Sequence, residues 1–235
     1  MPKTNDPRAQ LKRDAALAAV AQIRDGMHVG LGTGSTSAFA IDGIGRRLQA
    51  GDLKNIVAVA TSRRAAELAG RYGIPLTELD QVAQLDIAID GADEVDPNCD
   101  LIKGAGGAML LEKTVEQRAV RLVIIVDESK LVSKLGSRFP VPVEVAEDGW
   151  QSTRDALAAL GCEVSLRNDD HGPFVTDSHN FILDCGFRDG IDNPRDLAAK
   201  LDKLAGVRGH GLFLGMASEI LVAAPGGVRS IVPQR

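Results

Sequence analysis

The sequence is poor in aromatic residues and has no excess of positive charge. Aromatic side chains make up 3% of its 235 residues, and 32 Asp and Glu outnumber 27 Lys and Arg, so that the net charge is −5. Proteins that bind nucleic acid usually carry a basic patch, and many stack bases on aromatic rings. We therefore do not expect DNA or RNA as a partner.

Cysteines and long apolar runs are also scarce. Cys99, Cys162 and Cys185 lie far apart and form no CxxC pair, so we interpret them as reduced core thiols and not as a disulfide framework or a zinc site. The stretch MPKTNDPRAQLKRD lacks the apolar core of a signal peptide, and no run approaches the roughly 18 apolar residues of a membrane span. These features predict a cytoplasmic protein without membrane contact.

Strand-like and helix-like segments alternate through the first part of the chain. Near-continuous apolar strands such as LDIAID and RLVIIVD are typical of a parallel sheet with helices on both faces. From about residue 138 the order becomes strand, helix, strand, strand, helix (βαββα), which is typical of a small ferredoxin-like domain. The sequence predicts an α/β fold with two parts: a Rossmann-like catalytic domain of residues 1–137 plus 209–235, and an inserted α+β domain of residues 138–208.

Two further expectations follow from this division. The tail after residue 208 contains two strand-like runs around the turn PGG, and we expect it to return to the first sheet. The inserted domain is a candidate lid or subunit interface.

The turn GLGTGSTS after the first predicted strand is a candidate ligand site. Its glycines fit neither the dinucleotide pattern GxGxxG nor the P-loop, which needs a Lys after the last glycine. Backbone amides at a helix start, with the hydroxyls of Thr33, Ser35 and Thr36, favour the phosphate group of a small ligand. Lys12 adds positive charge if the first helix packs nearby. The alternative is a turn in which Ser35 or Thr36 only caps the helix.

The segment IDGADEVDP places four acids at the end of a buried strand, which raises the question of a metal site. The calcium-loop pattern fails, because Leu101 stands where glycine is needed and Gly107 stands where glutamate is needed. A magnesium site held by Asp90 and Asp93 stays open, although Lys103 would compete with the cation for both carboxylates.

Without a metal, the same acids are candidates for proton transfer. Asp90 closes its strand, and the turn that follows returns Asp93 to the edge where open α/β sheets bind ligands. We expect Glu94 and Asp96 to be solvated loop residues.

The segment KGAGGAMLLEK supplies Lys103, glycines that leave backbone amides accessible, and Glu112. Counted at about 100° per residue, Ala105, Ala108, Val115 and Ala119 lie within roughly 60° of Glu112, which places it on a small apolar stripe of its predicted helix. Loss of solvation there would raise the pKa of Glu112 and make it a general base. The alternative is a position at the edge of the stripe, because Glu116 lies only about 40° away, or an ion pair along the helix.

A phosphate cradle, strand-end acids and a desolvated base together suit proton abstraction beside the carbonyl of a phosphorylated sugar. The ordered motifs GLGTGST, DGADEVD, KGAGGAMLLEK, DESK and GLF closely resemble those of ribose-5-phosphate isomerase, type A, over nearly the whole chain. The resemblance implies interconversion of D-ribose 5-phosphate and D-ribulose 5-phosphate through an enediol, without metal or cofactor. It also implies a homodimer or homotetramer.

The resemblance implies catalytic roles for Glu112 as the proton-abstracting base, for Asp90 and Asp93 in ring opening and proton transfer between oxygens, and for Lys103 in stabilising negative charge. Which aspartate has which role is left open. The substrate-binding residues that the resemblance implies are Thr33, Gly34, Ser35, Thr36, Gly91, Ala92, Gly104, Ala105, Gly106 and Lys130. Lys12 is a further candidate by its charge alone, and the alternative for it is a solvated surface residue.

Two functions from other classes remain as alternatives. A sugar-phosphate-sensing domain would not need Glu112, and no helix-turn-helix region or basic patch accompanies this sequence. An enzyme like coenzyme A transferase would use the glutamate as a covalent nucleophile.

Overall fold

A computed structural model describes residues 8–234 and divides them into two compact units. Unit 1 contains residues 8–92, 112–130 and 216–234, and unit 2 contains residues 93–111 and 131–215. The first seven residues of the polar stretch that argues against a signal peptide lie outside the described part. No helix in residues 8–234 has the length and apolar character needed to cross a membrane.

Residues 8–234 form six α-helices and fifteen strands. In chain order they are α1 (Ala9–Val20), β1 (His28–Leu31), α2 (Ser35–Ala50), β2 (Val57–Ala60), α3 (Arg63–Arg71), β3 (Leu85–Asp90), β4 (Glu94–Val95), β5 (Leu101–Ile102), α4 (Met109–Glu116), β6 (Ala119–Asp127), β7 (Val141–Val145), α5 (Trp150–Ala158), β8 (Glu163–Leu166), β9 (Asn168–Asp169), β10 (Gly172–Pro173), β11 (Phe181–Gly186), α6 (Pro194–Leu201), β12 (Val207–His210), β13 (Leu212–Phe213), β14 (Glu219–Ala224) and β15 (Gly227–Ile231).

Unit 1 is built on a six-stranded sheet in the order β15-β14-β6-β3-β1-β2. Every neighbouring pair is parallel except the β14–β15 hairpin. The chain moves from β1 outward to β2 and then returns to β3 on the other side of β1. The strand order therefore reverses between β1 and β3, and open α/β sheets bind their ligands at the carboxyl ends of the strands at such a point.

The unit 1 sheet is covered on both faces. Successive strand residues point to opposite faces, so Ala58 and Val59 of β2 mark the two sides. Ala58 belongs to the large core formed with α1, α2 and α3, whereas Val59 packs with Leu85 and with Val115 of α4. The predicted parallel sheet between two helical layers is confirmed.

Unit 2 contains a four-stranded antiparallel sheet in the order β12-β7-β11-β8. Its core side chains alternate along β7 as Val141, Val143 and Val145, and they pack with Leu157 of α5 and Leu201 of α6. The element order β7-α5-β8-β11-α6-β12 is the ferredoxin-like βαββαβ arrangement. The predicted fold class is confirmed. Within the βαββαβ arrangement the sequence pattern missed the last strand, β12, and it also missed the two-residue strands β4, β5, β9, β10 and β13.

The compact units divide the chain at positions other than the predicted boundaries near 138 and 208. Residues 93–111 belong to unit 2 because β4 pairs with β5 and β5 pairs with β13. The predicted return of the tail to the first sheet holds for β14 and β15, whereas β12 joins the unit 2 sheet and β13 pairs with β5. The role of residues 138–208 as a lid or interface stays a prediction.

Helix α4 is shorter than the helix that the segment GGAMLLEKTVEQRAV predicts. Gly107 has a φ of +75°, in the left-handed region, so a right-handed helix cannot include it. The helix begins at Met109, and Ala119 already lies in β6.

Candidate active site

The turn after β1 leads directly into α2. Gly34 is the N-cap of α2 with a φ of 120°, and no side chain caps this helix end. The alternative that Ser35 or Thr36 merely caps the helix is therefore wrong. Ser35 is exposed, and its hydroxyl oxygen accepts a hydrogen bond of 3.0 Å from the ammonium group of Lys12, which is itself buried in α1. A cation, hydroxyls and a helix N-terminus thus meet in unit 1.

The hydroxyl of Thr33 faces the residues that follow β2. Its Oγ1 lies 2.7 Å from Oγ1 of Thr61 and 2.7 Å from Oγ of Ser62. The sequence predicted Thr61 and Ser62 as helix caps, and Ser62 does cap α3 by accepting a hydrogen bond from the Ala65 amide. Their contact with Thr33 was not predicted, although it follows from the parallel pairing of β1 with β2.

Asp90, the last residue of β3, is tied to the turn after β1. Its Oδ1 accepts hydrogen bonds from the amide of Thr33 at 3.0 Å, the hydroxyl of Ser37 at 2.7 Å and the amide of Gly91 at 2.7 Å. A Cβ atom at Gly32 would overlap the Asp90 carboxyl group, which explains the glycine at this position. Ser37 was not among the predicted site residues, yet it fixes the orientation of one that was.

Three buried carboxylates form a cluster at this end of the unit 1 sheet. Asp90, Glu112 and Glu116 are 1%, 3% and 2% exposed, and each offers a carboxylate oxygen within 4.8 Å of the others. The predicted burial of Glu112 is confirmed. Glu116 was missed, although the narrow angle between the two glutamates on α4 already placed both on one side of the helix. Three such oxygens also have a geometry that can hold a metal ion.

The other predicted residues of unit 1 follow β3 and β6. Gly91 and Ala92 are half-buried directly after Asp90, and Lys130 is half-buried at the end of the single-turn helix Glu128–Lys130. The motif DESK is a turn held by Asp127, whose Oδ1 accepts hydrogen bonds from the amide and the hydroxyl of Ser129.

In unit 2, Asp93 and the turn after β5 are joined by a hydrogen bond. Oδ2 of Asp93 accepts from the amide of Ala105 at 2.9 Å. Gly104 adopts a φ of +112°, while Ala105 and Gly106 are exposed residues. The predicted binding residues Gly104, Ala105 and Gly106 therefore form one turn whose position is tied to a predicted catalytic carboxylate.

Lys103 is 2% exposed and lies against the late GLF motif. Its amide donates to the carbonyl of Gly211 at 2.9 Å, and its ammonium nitrogen lies 5.3 Å from the centre of the Phe213 ring. A side chain at Gly211 would collide with the backbone of Lys103. An aromatic face within about 6 Å stabilises a cation, so the GLF motif supports the buried lysine.

The expectation that Glu94 is solvated is wrong. Glu94 is fully buried in unit 2, and its carboxylate accepts hydrogen bonds from the amides of Gly136, Arg138 and Phe139. Three backbone donors compensate the loss of hydration of a buried carboxylate. Glu94 is therefore a structural residue that orders the segment before β7.

Asp96 also has a structural role, on a smaller scale. Its Oδ1 accepts hydrogen bonds from the amides of Asn98 and Asp100, which closes the turn between β4 and β5. All three cysteines are buried free thiols, as their spacing indicates.

The fold and these side chains are typical of α/β enzymes that act on a small phosphorylated ligand. Such enzymes place a helix N-terminus with hydroxyls and a set of catalytic side chains at the carboxyl ends of parallel strands.

Comparison with known proteins identifies the family. The model of the family ribose 5-phosphate isomerase A (phosphoriboisomerase A) matches residues 57–227. A ribose-5-phosphate isomerase A from Synechococcus sp. (strain JA-3-3Ab) is 50% identical over 224 residues, which cover 94% of this chain and 96% of the relative. The chain belongs to the ribose 5-phosphate isomerase A family.

Solved structures of the same family have the same fold. The ribose 5-phosphate isomerase A of Methanocaldococcus jannaschii matches with a TM-score of 0.91 and 40% identity, covering 96% of this chain and 99% of that one. A D-ribose-5-phosphate isomerase in complex with phospho-erythronic acid matches with a TM-score of 0.92 and 41% identity, covering 95% and 98% of the two chains.

Proposed function

We propose that this protein interconverts D-ribose 5-phosphate and D-ribulose 5-phosphate through an enediol, with Glu112 as the base. The activity follows from membership of the ribose 5-phosphate isomerase A family. The observation that supports the assignment of the base is the burial of Glu112 beside Asp90 at the carboxyl end of a parallel sheet.

The proton balance of the reaction requires one base and at least one group that moves protons between oxygens. Glu112 removes the proton from C2 of the open-chain aldose, and the electron pair of that C–H bond forms the C1–C2 double bond of the enediolate. O1 gains a proton and O2 loses one, so that the carbonyl moves from C1 to C2. Glu112 then returns its proton to C1, which gives the ketose.

The roles of the other predicted catalytic residues follow from the family resemblance. Asp90 or Asp93 assists ring opening, which protonates the ring oxygen and deprotonates O1, and the same two acids are the candidates for moving protons between O1 and O2. Lys103 stabilises the negative charge of the enediolate. The hydrogen bonds that orient each aspartate support these roles, because a group that transfers protons must be held in a fixed direction.

The phosphate group of the substrate is assigned to the turn after β1. The N-terminus of the long helix α2 provides backbone amides and the positive end of the helix dipole. Lys12 supplies the cation through its contact with Ser35. The predicted binding residue Lys130 and the Gly91–Ala92 segment lie beyond the ends of the neighbouring strands β6 and β3.

We expect phospho-erythronic acid, the ligand named for a related structure, to bind here as an inhibitor. Its carboxylate presents two oxygens on one carbon, and these resemble the two adjacent oxygens of the enediolate. A ligand that resembles a high-energy intermediate binds more tightly than the substrate.

The test is an assay of ribulose 5-phosphate formation from ribose 5-phosphate with the wild-type protein and Glu112→Gln. We expect Glu112→Gln to lose roughly 10³-fold or more in kcat, in the range expected for a general base, and to bind phospho-erythronic acid still. Glu67→Gln, at an exposed glutamate of α3 in unit 1, is the matched control. If Glu112→Gln kept the turnover of the wild type, or if only Glu116→Gln lost turnover, the base would be a residue other than Glu112.

The same assay tests for a metal, because the cluster of Asp90, Glu112 and Glu116 can also hold a cation. Activity that survives EDTA supports proton transfer by the carboxylates alone. Activity that EDTA abolishes and Mg²⁺ restores would contradict metal independence. Assembly as a homodimer or homotetramer and a cytoplasmic location stay predictions, and light scattering measures the first.

A further inference from the structure

We propose that Arg167, held by Asp184, is a positioning residue for isomerisation, because it fixes the turn that follows Lys103. The proposal rests on the proposed function for its effect on turnover, while its structural part concerns unit 2 alone. Arg167 was not among the residues that sequence motifs single out. Its contacts, however, reach the backbone of two residues that were.

The guanidinium group of Arg167 uses two of its edges. Nε donates to Oδ2 of Asp184 at 2.9 Å, and Nη2 donates to Oδ1 of the same carboxylate. Nη1 donates to the carbonyl of Gly104 at 2.7 Å and to that of Ala105 at 3.2 Å. Only arginine has a rigid planar fork of five donors that can bind a carboxylate with two bonds and still reach two carbonyls.

The ion pair is anchored on a rigid part of unit 2. Asp184 lies in β11 opposite Ser165 of β8, and the amide of Arg167, one residue beyond β8, donates to the carbonyl of Ile182 at 2.9 Å. The side chains of Arg167 and Asp184 are only 16% and 17% exposed. Limited access of water strengthens the pair relative to a surface ion pair. The sheet therefore holds the guanidinium group in a fixed place.

This contact determines where two amides of the turn point. In a trans peptide the C=O and the next N–H point in opposite directions. Because the Gly104 carbonyl faces Arg167, the Ala105 amide points away from it, and that amide donates to Asp93. The Ala105 carbonyl also faces Arg167, so the Gly106 amide is directed away from the guanidinium group. One arginine thus orients the amide that holds a predicted catalytic carboxylate, Asp93, and the amide of the exposed residue Gly106.

A second contact from the same part of the chain supports this role. The amide of Phe174 donates to the carbonyl of Arg167 at 2.9 Å. The Phe174 ring packs against Gly107 so closely that a Cβ atom at Gly107 would lie 2.5 Å from the ring. The segment that carries Arg167 therefore holds the turn at both ends. Small residues have few side-chain contacts of their own to fix their conformation, so the turn depends on these external contacts.

The experiment compares the wild type, Arg167→Lys and Arg167→Ala with Arg154→Lys as the control. Arg154 of α5 also pairs with an aspartate, Asp155, but its side chain is 43% exposed. A lysine at position 167 keeps the charge and loses the fork. We measure kcat and KM for ribose 5-phosphate, the affinity for phospho-erythronic acid by calorimetry, the unfolding temperature, and hydrogen exchange of the Ala105 amide.

We expect Arg167→Lys to lose about tenfold in kcat with KM changed less than about twofold, since misorientation of catalytic groups affects the transition state more than substrate binding. Exchange of the Ala105 amide rises and affinity for phospho-erythronic acid falls, while Arg154→Lys matches the wild type. Guanidinium ion at millimolar concentration restores part of the kcat of Arg167→Ala, and ammonium ion does not.

The proposal fails if Arg167→Lys keeps wild-type kcat, or if its unfolding temperature falls while turnover per folded molecule does not. It also fails if exchange at Ala105 is unchanged, and this measurement needs no enzymatic activity. A wild-type protein without isomerase activity would instead contradict the proposed function, and the exchange experiment would still decide whether Arg167 positions the turn.

Discussion

The turn after β1 in unit 1 and the turn after β5 in unit 2 are both short and rich in glycine, but different kinds of residue hold them. Side chains at the ends of neighbouring parallel strands hold the first turn, as Asp90 and Thr61 contact Thr33. The second turn depends on Arg167, which is 62 and 63 residues away from its two carbonyl partners, and on Phe213 beside Lys103. A parallel sheet brings strand ends together by its topology, whereas the second turn needs individual tertiary contacts.

The sharpest test of the first turn is Gly32→Ala. The new Cβ atom would overlap the Asp90 carboxyl group, so the side chain that three donors hold must move. We expect turnover to fall about 100-fold and the free energy of unfolding to fall by about 1–3 kcal/mol, measured by the isomerase assay and by urea denaturation.

Gly70→Ala is the matched control for this substitution. Gly70 lies in α3, and a Cβ atom there meets nothing within 4 Å. Alanine is the better helix former by about 1 kcal/mol, so stability should rise slightly at constant turnover. Equal losses in both variants would mean that added volume at Gly32 has no specific effect on Asp90.

The corresponding test of the second turn is Phe213→Leu, with a smaller expected effect. Leucine keeps an apolar side chain in the core but removes the aromatic face 5.3 Å from the Lys103 ammonium group. We expect a loss of about 1–2 kcal/mol in stability and a several-fold fall in kcat.

Phe181→Leu separates the two effects, because Phe181 is buried in the core of unit 2 and meets the Trp150 ring, not a lysine. It should lose similar stability without a fall in kcat. If both leucine variants reduce kcat equally, the cation–π contact of Lys103 has no part in catalysis.

The smallest effect concerns Glu144, a buried carboxylate of β7 outside both turns. Burial raises the pKa of Glu144, although hydrogen bonds from Asn180 and Thr176 act in the opposite direction. A group with a raised folded-state pKa binds its proton more tightly in the folded protein, so stability is highest below the unfolded pKa and falls as the pH rises through the folded pKa.

Glu144→Gln should therefore match the wild type below pH 4.5, the ordinary pKa of glutamate, and exceed it at neutral pH by about 0.5–1 kcal/mol, within the range of single substitutions. Urea denaturation between pH 4 and pH 8 measures this difference, and turnover should not change. The exposed Glu147→Gln is the control. A variant less stable than the wild type at neutral pH would show that the ionised carboxylate contributes favourably.

Residues with a local signal could be predicted from the sequence. Hydrophobic runs, glycines and the position of Asp90 at a strand end predicted the unit 1 sheet and the turn after β1, and the helical spacing of small apolar residues predicted the burial of Glu112. The burial of Glu94 could not be predicted from the sequence, because its three amide donors belong to residues more than 40 positions later in the chain. The role of Arg167 could not be predicted for the same reason. It depends on hydrogen bonds to the backbone carbonyls of Gly104 and Ala105, which are distant in the sequence.

The two-residue strands could not be predicted from the sequence either. β4, β5 and β13 are too short for any alternating pattern, and only their mutual pairing defines them. For this reason the sequence placed residues 93–111 with the first sheet, whereas their contacts place them in unit 2.

The pairing of β14 with β6 has a consequence for how the chain folds during synthesis. The two strands are parallel neighbours, and the amide of Leu122 in β6 donates a hydrogen bond to the hydroxyl of Ser218, which lies 96 residues later, directly before β14. Until residues 219–224 have been synthesised, the apolar strand β6 has an open edge where its partner belongs. Such an edge can pair with another nascent chain. Rapid folding of the residues between β6 and β14 lowers this risk, because it shortens the loop that must close before β14 can pair with β6.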